Sequence, residues 1–158
     1  MALVAIAILV NLYVIGKKSV HQEIIIEASV QEVWQVLTDV DSIRLWNEVL
    51  IPLEGKLEEG ETVLYEFHQD GSKPSKMSAK VKIVNPNELL NQSGGMSGLL
   101  TFDHRYMLKS DGKHTRLIIH EEYRGIAVPF WNPTPVEEAY GRLARALKAR
   151  VLSIKEEL

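Results

Sequence analysis

The side chains best equipped to move a proton in this sequence are His104 and Glu121, and they keep polar company: Gln22, Tyr65, Tyr106 and Tyr123. All six fall on alternate positions of strand-like runs, on the same face as Val63, Phe67 and Phe102. A histidine oriented by a carboxylate is a general base, so this pair is a candidate for acid–base chemistry. The same groups would serve equally as hydrogen-bonded core residues, or as donors and acceptors that orient a bound molecule. Orientation carries more weight than catalysis, because the rest of a catalytic site is missing from the sequence. It has no His-x-x-His or His-Glu-x-x-His spacing for a metal, no oxyanion loop and no second inward acid beside Glu121. The stretch Ser93-Gly94-Gly95-Met96-Ser97-Gly98 opens no helix, as a phosphate loop must, and reads as a flexible turn. No cofactor or metal is implied.

A hairpin around Asp111-Gly112 decides which of these side chains meet. A two-residue turn there pairs Ser110 with Lys113. Counting outward, it opposes Leu108 with Thr115, Tyr106 with Leu117, His104 with Ile119, Phe102 with Glu121 and Leu100 with Tyr123. His104 and Glu121 then lie diagonally across the pair, within reach of each other. The outer face takes Arg105, Met107, Lys109, His114, Arg116 and Ile118, with His120 beside Asp103 as a surface pair. A longer turn would change partners and leave the in-and-out parity intact.

The elements that carry this hairpin are legible in turn. Residues Val20 to Ala28 alternate as a half-buried strand, and Ser29-Val30-Gln31-Glu32 is a capping box that opens a helix with Val33, Val36 and Leu37 on its apolar face. A second short helical segment spans Asp39 to Asn47. Turn signals at Glu58-Glu59-Gly60, Asp70-Gly71, Asn85-Pro86-Asn87 and Asp111-Gly112 then separate strand-length runs, which describes an antiparallel meander. Val63, Tyr65 and Phe67, with Met77, Ala79, Val81 and Ile83, supply more of its inner face. Thr134-Pro135-Val136-Glu137 has the form of a second capping box, with Thr134 as the cap. Val136, Tyr140, Leu143, Leu147, Val151, Ile154 and Leu158 follow at intervals of three and four. That stripe, about 36 Å long, needs a surface of matching length, and the concave side of the sheet is the candidate; a coiled-coil dimer is the alternative.

With 158 residues, 46% hydrophobic and 25% charged, the chain suits one globular domain. A formal charge of −3 without any basic block argues against nucleic acid, and the absence of cysteine removes thiol chemistry and disulfides. Residues 1–18 stand apart from the domain at 19–158: Ala2 to Ile15 carries no side-chain charge and is followed by Lys17-Lys18. As a helix it reaches about 21 Å, short of a hydrocarbon core of roughly 30 Å. No basic residue precedes it and Val14-Ile15-Gly16 is a weak cleavage site, so it reads as a short membrane anchor rather than a secretory signal. The trailing lysines place the body on the cytoplasmic side. A buried first element of the fold is the competing account.

Glu32-Val33-Trp34 with Leu37 and Asp39, then Leu45-Trp46-Asn47, the Gly112-to-Thr115 turn, Glu121-Glu122-Tyr123-Arg124-Gly125 and the final amphipathic helix together resemble the SRPBCC superfamily of polyketide cyclase/dehydrase-like, START-like helix-grip proteins. Glu48 stands where many relatives have proline. The resemblance implies an α+β helix-grip fold: a curved antiparallel sheet of six to seven strands around a long C-terminal helix, with two short helices after the first strand. It also implies a cavity between sheet and helix for a hydrophobic or amphipathic small molecule; the inner-face and stripe residues Tyr65, Phe67, Phe102, His104, Tyr106, Glu121, Tyr123, Tyr140, Leu143 and Leu147 are the candidates to line it, and the aromatics Trp46, Phe130 and Trp131 the candidates for its mouth. A lipid or polyketide carrier or sensor is the leading expectation. A cyclase or dehydratase using His104 and Glu121, and a protein-interaction module, are the alternatives.

Overall fold

A computed structural model describes residues 2–70 and 72–157. Helix α1 (Ala2–Ile15) leads through Gly16 into β1 (Lys17–Ile26), which is followed by α2 (Val30–Thr38) and the single turn of α3 (Val40–Ile43). Six strands come next: β2 (Leu50–Glu54), β3 (Thr62–Phe67), β4 (Ser75–Asn85), β5 (Leu89–Met96), β6 (Leu100–Asp111) and β7 (His114–Arg124). A 3-10 turn at Val128–Phe130 precedes α4 (Thr134–Glu156). All seven strands form one antiparallel sheet in the order β1-β7-β6-β5-β4-β3-β2, the α+β helix-grip arrangement.

Local chemistry explains where the helices begin. The Ser29 side chain accepts from the Glu32 amide while Glu32 reaches back to the Ser29 amide, closing the capping box at α2. The expected box at Thr134 does not form. Thr134 is already helical, the cap is Pro133, and the Asn132 side chain accepts from the Thr134 amide at 3.2 Å. Two prolines around Thr134 fix φ at helical values one residue earlier than the box would require.

The stripe on α4 is buried from Val136 to Val151, with Ile154 half-exposed; Leu158 lies outside the described residues. It faces the inner side of the sheet, so this surface is spent inside the fold and no coiled coil forms through it. Gln22 on β1 donates to the Glu137 carbonyl, and Lys148 donates to the Ile25 carbonyl, which ties α4 along the edge strand β1.

The β6–β7 hairpin turns on Gly112-Lys113, with Asp111 opposite His114. The pairing is therefore displaced by two residues from the one expected: Leu108 faces Leu117, Tyr106 faces Ile119, Phe102 faces Tyr123, and His104 faces Glu121 directly. Gly112 takes φ +65°, which favours a glycine at the first central position of a tight hairpin. Parity is unaffected by an even displacement. On the outer face His120 lies opposite Arg105 rather than beside Asp103. Its carboxylate neighbour is Glu122 at 3.7 Å, while Asp103 pairs with Arg105 at 2.7 Å.

Two further expectations change in the meander. A register shift between Val81 and Ile83 turns Ile83 outward, and the half-buried Val84 follows it. The glycine-rich stretch is strand as far as Met96, with its turn at Ser97-Gly98. Gly71 of the Asp70-Gly71 signal lies outside the described residues.

Candidate functional site

The inner face of the sheet gathers the polar residues that parity predicts. His104 and Glu121 are 3% and 2% exposed, and a pair so deeply desolvated must be satisfied from within the protein. His104 Nδ1 lies 2.5 Å from Glu121 Oε2, and the Tyr140 hydroxyl, arriving from α4, donates to the same oxygen at 2.5 Å. Burial opposes the charge of Glu121, but His104 beside it and its hydrogen-bond donors outweigh that cost and hold the carboxyl below its ordinary range. An ionised carboxylate only accepts, so the imidazole carries its proton on Nδ1 and donates. His104 Nε2, on the far side of the ring, is buried and has no hydrogen-bond partner among the described residues.

Aromatic rings hold the imidazole in place. Tyr106 and Tyr140 meet it edge to face at centroid distances of 4.5 Å and 4.9 Å, and Phe67 lies 6.0 Å from Tyr140. Burial pushes the Tyr65 hydroxyl up to about 12. Burial likewise raises Tyr106, Tyr123 and Tyr140, and the Glu121 charge adds to this in each case, so all four phenols are hydrogen-bonding groups rather than acids near neutrality.

A cavity of about 10 Å³ sits among Leu50, Tyr65, Met77, Ala79, Gln92, Phe102, His104, Glu121 and Tyr140. That is room for about one water molecule. Tyr65, Phe102, His104, Glu121 and Tyr140 therefore share one small space. Phe67, Tyr106, Tyr123, Leu143 and Leu147 are buried around it without lining it. Larger clefts are on the outside. One of about 220 Å³ between α2 and the end of α4 is lined by Val36, Val151 and Ile154 together with the charges Glu32, Asp39, Arg150 and Lys155.

Trp46, Phe130 and Trp131 do not form one mouth. Trp46 is buried just before β2, one edge of the sheet, with its Nε1 unpartnered. Trp131 packs against Tyr123 with ring centroids 4.4 Å apart and the planes tilted by 53°, beside β1, the other edge strand, while Phe130 is exposed.

Four lining residues lie outside the set expected from the sequence. Gln92 donates to the Tyr65 hydroxyl at 2.8 Å; its signal is the alternation of Leu90 and Gln92, obscured by the glycines after it. Leu50 is placed by Asn47, whose side chain accepts from the Val49 and Leu50 amides and donates to the Leu50 carbonyl. Met77 and Ala79 belong to the expected inner face, and only the packing brings them to the site. Gly94, opposite Phe102, leaves the space that the Phe102 ring fills; a Cβ there would lie 2.6 Å from that ring.

The family model for polyketide cyclase/dehydrase and lipid transport matches residues 17–155. No curated protein matches by sequence. Among solved structures, the protein TTHA0849 from Thermus thermophilus superposes with a TM-score of 0.70 at 16% identity, covering 87% of this chain and 99% of its own. The ZhuI aromatase/cyclase from Streptomyces sp. R1128 gives 0.68 at 13% identity, covering 85% and 93%. Norcoclaurine synthase from Thalictrum flavum, in complex with dopamine and hydroxybenzaldehyde, gives 0.63 at 17% identity, covering 87% of each chain. At these identities the likeness is one of fold.

Proposed function

We propose that this chain, which belongs to the polyketide cyclase/dehydrase and lipid transport family, binds a hydrophobic or amphipathic small molecule between its sheet and α4, as a carrier or sensor. The observation that supports this reading is the unpartnered Nε2 of His104, a residue oriented from behind by Glu121 that lines the inner cavity together with Leu50, Met77, Phe102 and Gln92. A buried polar atom without a partner costs about 1–3 kcal/mol, which a ligand hydroxyl placed against it recovers. The closed cavity is too small for such a ligand, so binding requires the walls to part. Met77, unbranched and half-buried, is the wall residue that yields most readily.

The test is titration of an environment-sensitive apolar probe, displaced by candidate lipids and aromatic polyketides, for the wild type, His104→Ala, Tyr106→Phe and Glu121→Gln. Saturable one-to-one binding, weakened in His104→Ala by the worth of one hydrogen bond, about 0.5–1.5 kcal/mol, supports the carrier reading. No apolar binding at all removes it and favours the protein-interaction class.

A second reading, turnover of the cyclase or dehydratase type, is favoured by the tautomer. In the neutral imidazole, with its proton on Nδ1 against Glu121, Nε2 holds a lone pair, as a general base requires. Loss of such a base would cut turnover by about 10²- to 10⁴-fold with little change in affinity.

We also propose attachment to a membrane surface through residues 2–15. Among the described residues no helix is long and apolar enough to cross a membrane, so the positive-inside argument for sidedness, which presupposes a crossing, loses its basis. What supports attachment is that α1 exposes apolar side chains around its whole circumference, from Leu3 and Val4 to Val14 and Ile15, the pattern of a short helix dipped end-on into hydrocarbon rather than one lying along the interface.

A further inference from the structure

Apart from α1, the described residues expose five large apolar side chains: Leu45, Ile83, Met96, Leu99 and Phe130. Three of them, Met96, Leu99 and Phe130, lie on segments that meet where α1 leaves the sheet. The Gly125 amide donates to the Gly16 carbonyl at 3.0 Å, the Ile126 amide to the Gly98 carbonyl at 3.1 Å and the Ala127 amide to the Leu99 carbonyl at 3.0 Å. These bonds lace together the root of α1, the β5–β6 turn that bears Met96 and Leu99, and the segment that ends in Phe130. A Cβ on Gly16 would stand 2.0 Å from the Gly125 carbonyl oxygen, so the join leaves no room for a side chain. Met96, Leu99 and Phe130 are 65%, 42% and 79% exposed. At the same end of the sheet a cleft of about 260 Å³ is lined by Lys17, Lys18 and Arg124 with one carboxylate, Glu122, which lies 3.5 Å from Arg124, while Lys18 donates to the Pro129 and Trp131 carbonyls.

We infer that this end of the sheet is a membrane-docking face: Met96, Leu99 and Phe130 enter the bilayer beside α1, and Lys17 and Arg124 lie at the level of anionic headgroups. The inference rests on the proposed attachment through α1 and adds the orientation of the body. The occupant is a bilayer rather than a protein groove for a reason of shape and charge. A groove covers one face of a helix, whereas α1 exposes apolar side chains on all sides and runs through Gly16 into a cationic rim with apolar loops beside it. The consequence is that Trp131, adjacent to Phe130 and packed against Tyr123 of the inner face, sits at the boundary between bilayer and body.

The experiment uses the full chain with vesicles of phosphatidylcholine containing about one-fifth phosphatidylglycerol, an anionic fraction that gives the cationic rim a partner. It reads flotation and the quenching of tryptophan fluorescence by brominated lipid. The expected result is flotation, with a quenched component that disappears in Trp131→Phe. Replacing Met96, Leu99 and Phe130 together by Ser should lower partition about tenfold or more, as the loss of three buried apolar side chains predicts, and should abolish the quenching. These residues are exposed, so the triple variant keeps its fold; unchanged thermal unfolding verifies this. Flotation with no Trp131 quenching, and with partition unaltered by the triple variant, overturns the docking face while leaving attachment through α1 standing. A chain that does not float, including one that self-associates instead, overturns both.

Discussion

The hydroxyl of Tyr140 donates to the carboxylate of Glu121 across 2.5 Å, and with it the C-terminal helix reaches past the edge strand β1 to β7. Most other polar ties of α4 run along β1 and the residue just past it, at Gln22, Ile25 and Glu27. Hydrogen bonds to a buried charge contribute about 1.5–3 kcal/mol, so Tyr140→Phe should destabilise the fold by that amount in urea unfolding. A change under about 0.5 kcal/mol would show that the carboxylate finds another donor.

Stability should depend on pH through Glu121. Its folded pKa lies below the ordinary value of 4.5, so its contribution is fully present above that value and is lost as pH falls through the lower folded one. Unfolding free energies for the wild type and Glu121→Gln should therefore differ most near neutrality and converge below pH 4.5. A constant difference across the range would assign the effect to packing instead.

Leu143 and Leu147 are fully buried in the middle of the α4 stripe. Truncation of either to Ala should cost about 2–5 kcal/mol. Chemical denaturation measures this. A value near zero would place the stripe outside the core.

Arg142 holds the segment that follows Phe67 against α4, through Asp70 at 2.5 Å and the His68 carbonyl at 3.5 Å. The ion pair is largely exposed, so Arg142→Ala should lower stability by less than about 1 kcal/mol. It should nevertheless speed uptake of an apolar probe in stopped-flow fluorescence, because the segment follows Phe67, whose ring lies 6.0 Å from that of the cavity-lining Tyr140. An unchanged uptake rate would mean that the cavity opens elsewhere.

Gly94 faces Phe102 across β5 and β6, and a Cβ at this position would lie 2.3 Å from the Ser78 carbonyl oxygen. Gly94→Ala should destabilise by more than the roughly 0.5 kcal/mol typical of surface substitutions. Thermal unfolding of the variant checks it.

Which side chains face inward is written locally in the chain. Alternation in a strand makes each residue's face follow from its neighbour's, so the inward positions of His104, Glu121, Tyr65 and Tyr123 are legible without any pairing being known. The α4 stripe is legible for the same reason, because a period of 3.6 needs no partner to be seen. Partners are another matter. A hairpin turn at Gly112-Lys113 instead of Asp111-Gly112 moves every pair by two residues and brings His104 directly opposite Glu121. That choice depends on which turn lets both strands twist together, and on the pairing of β7 with β1 on its other side. Folding in three dimensions joins Tyr140 to Glu121 and Gln92 to Tyr65, groups 19 and 27 residues apart. It also closes the space between them to about 10 Å³, since a cavity is what remains after packing and no single segment encodes it.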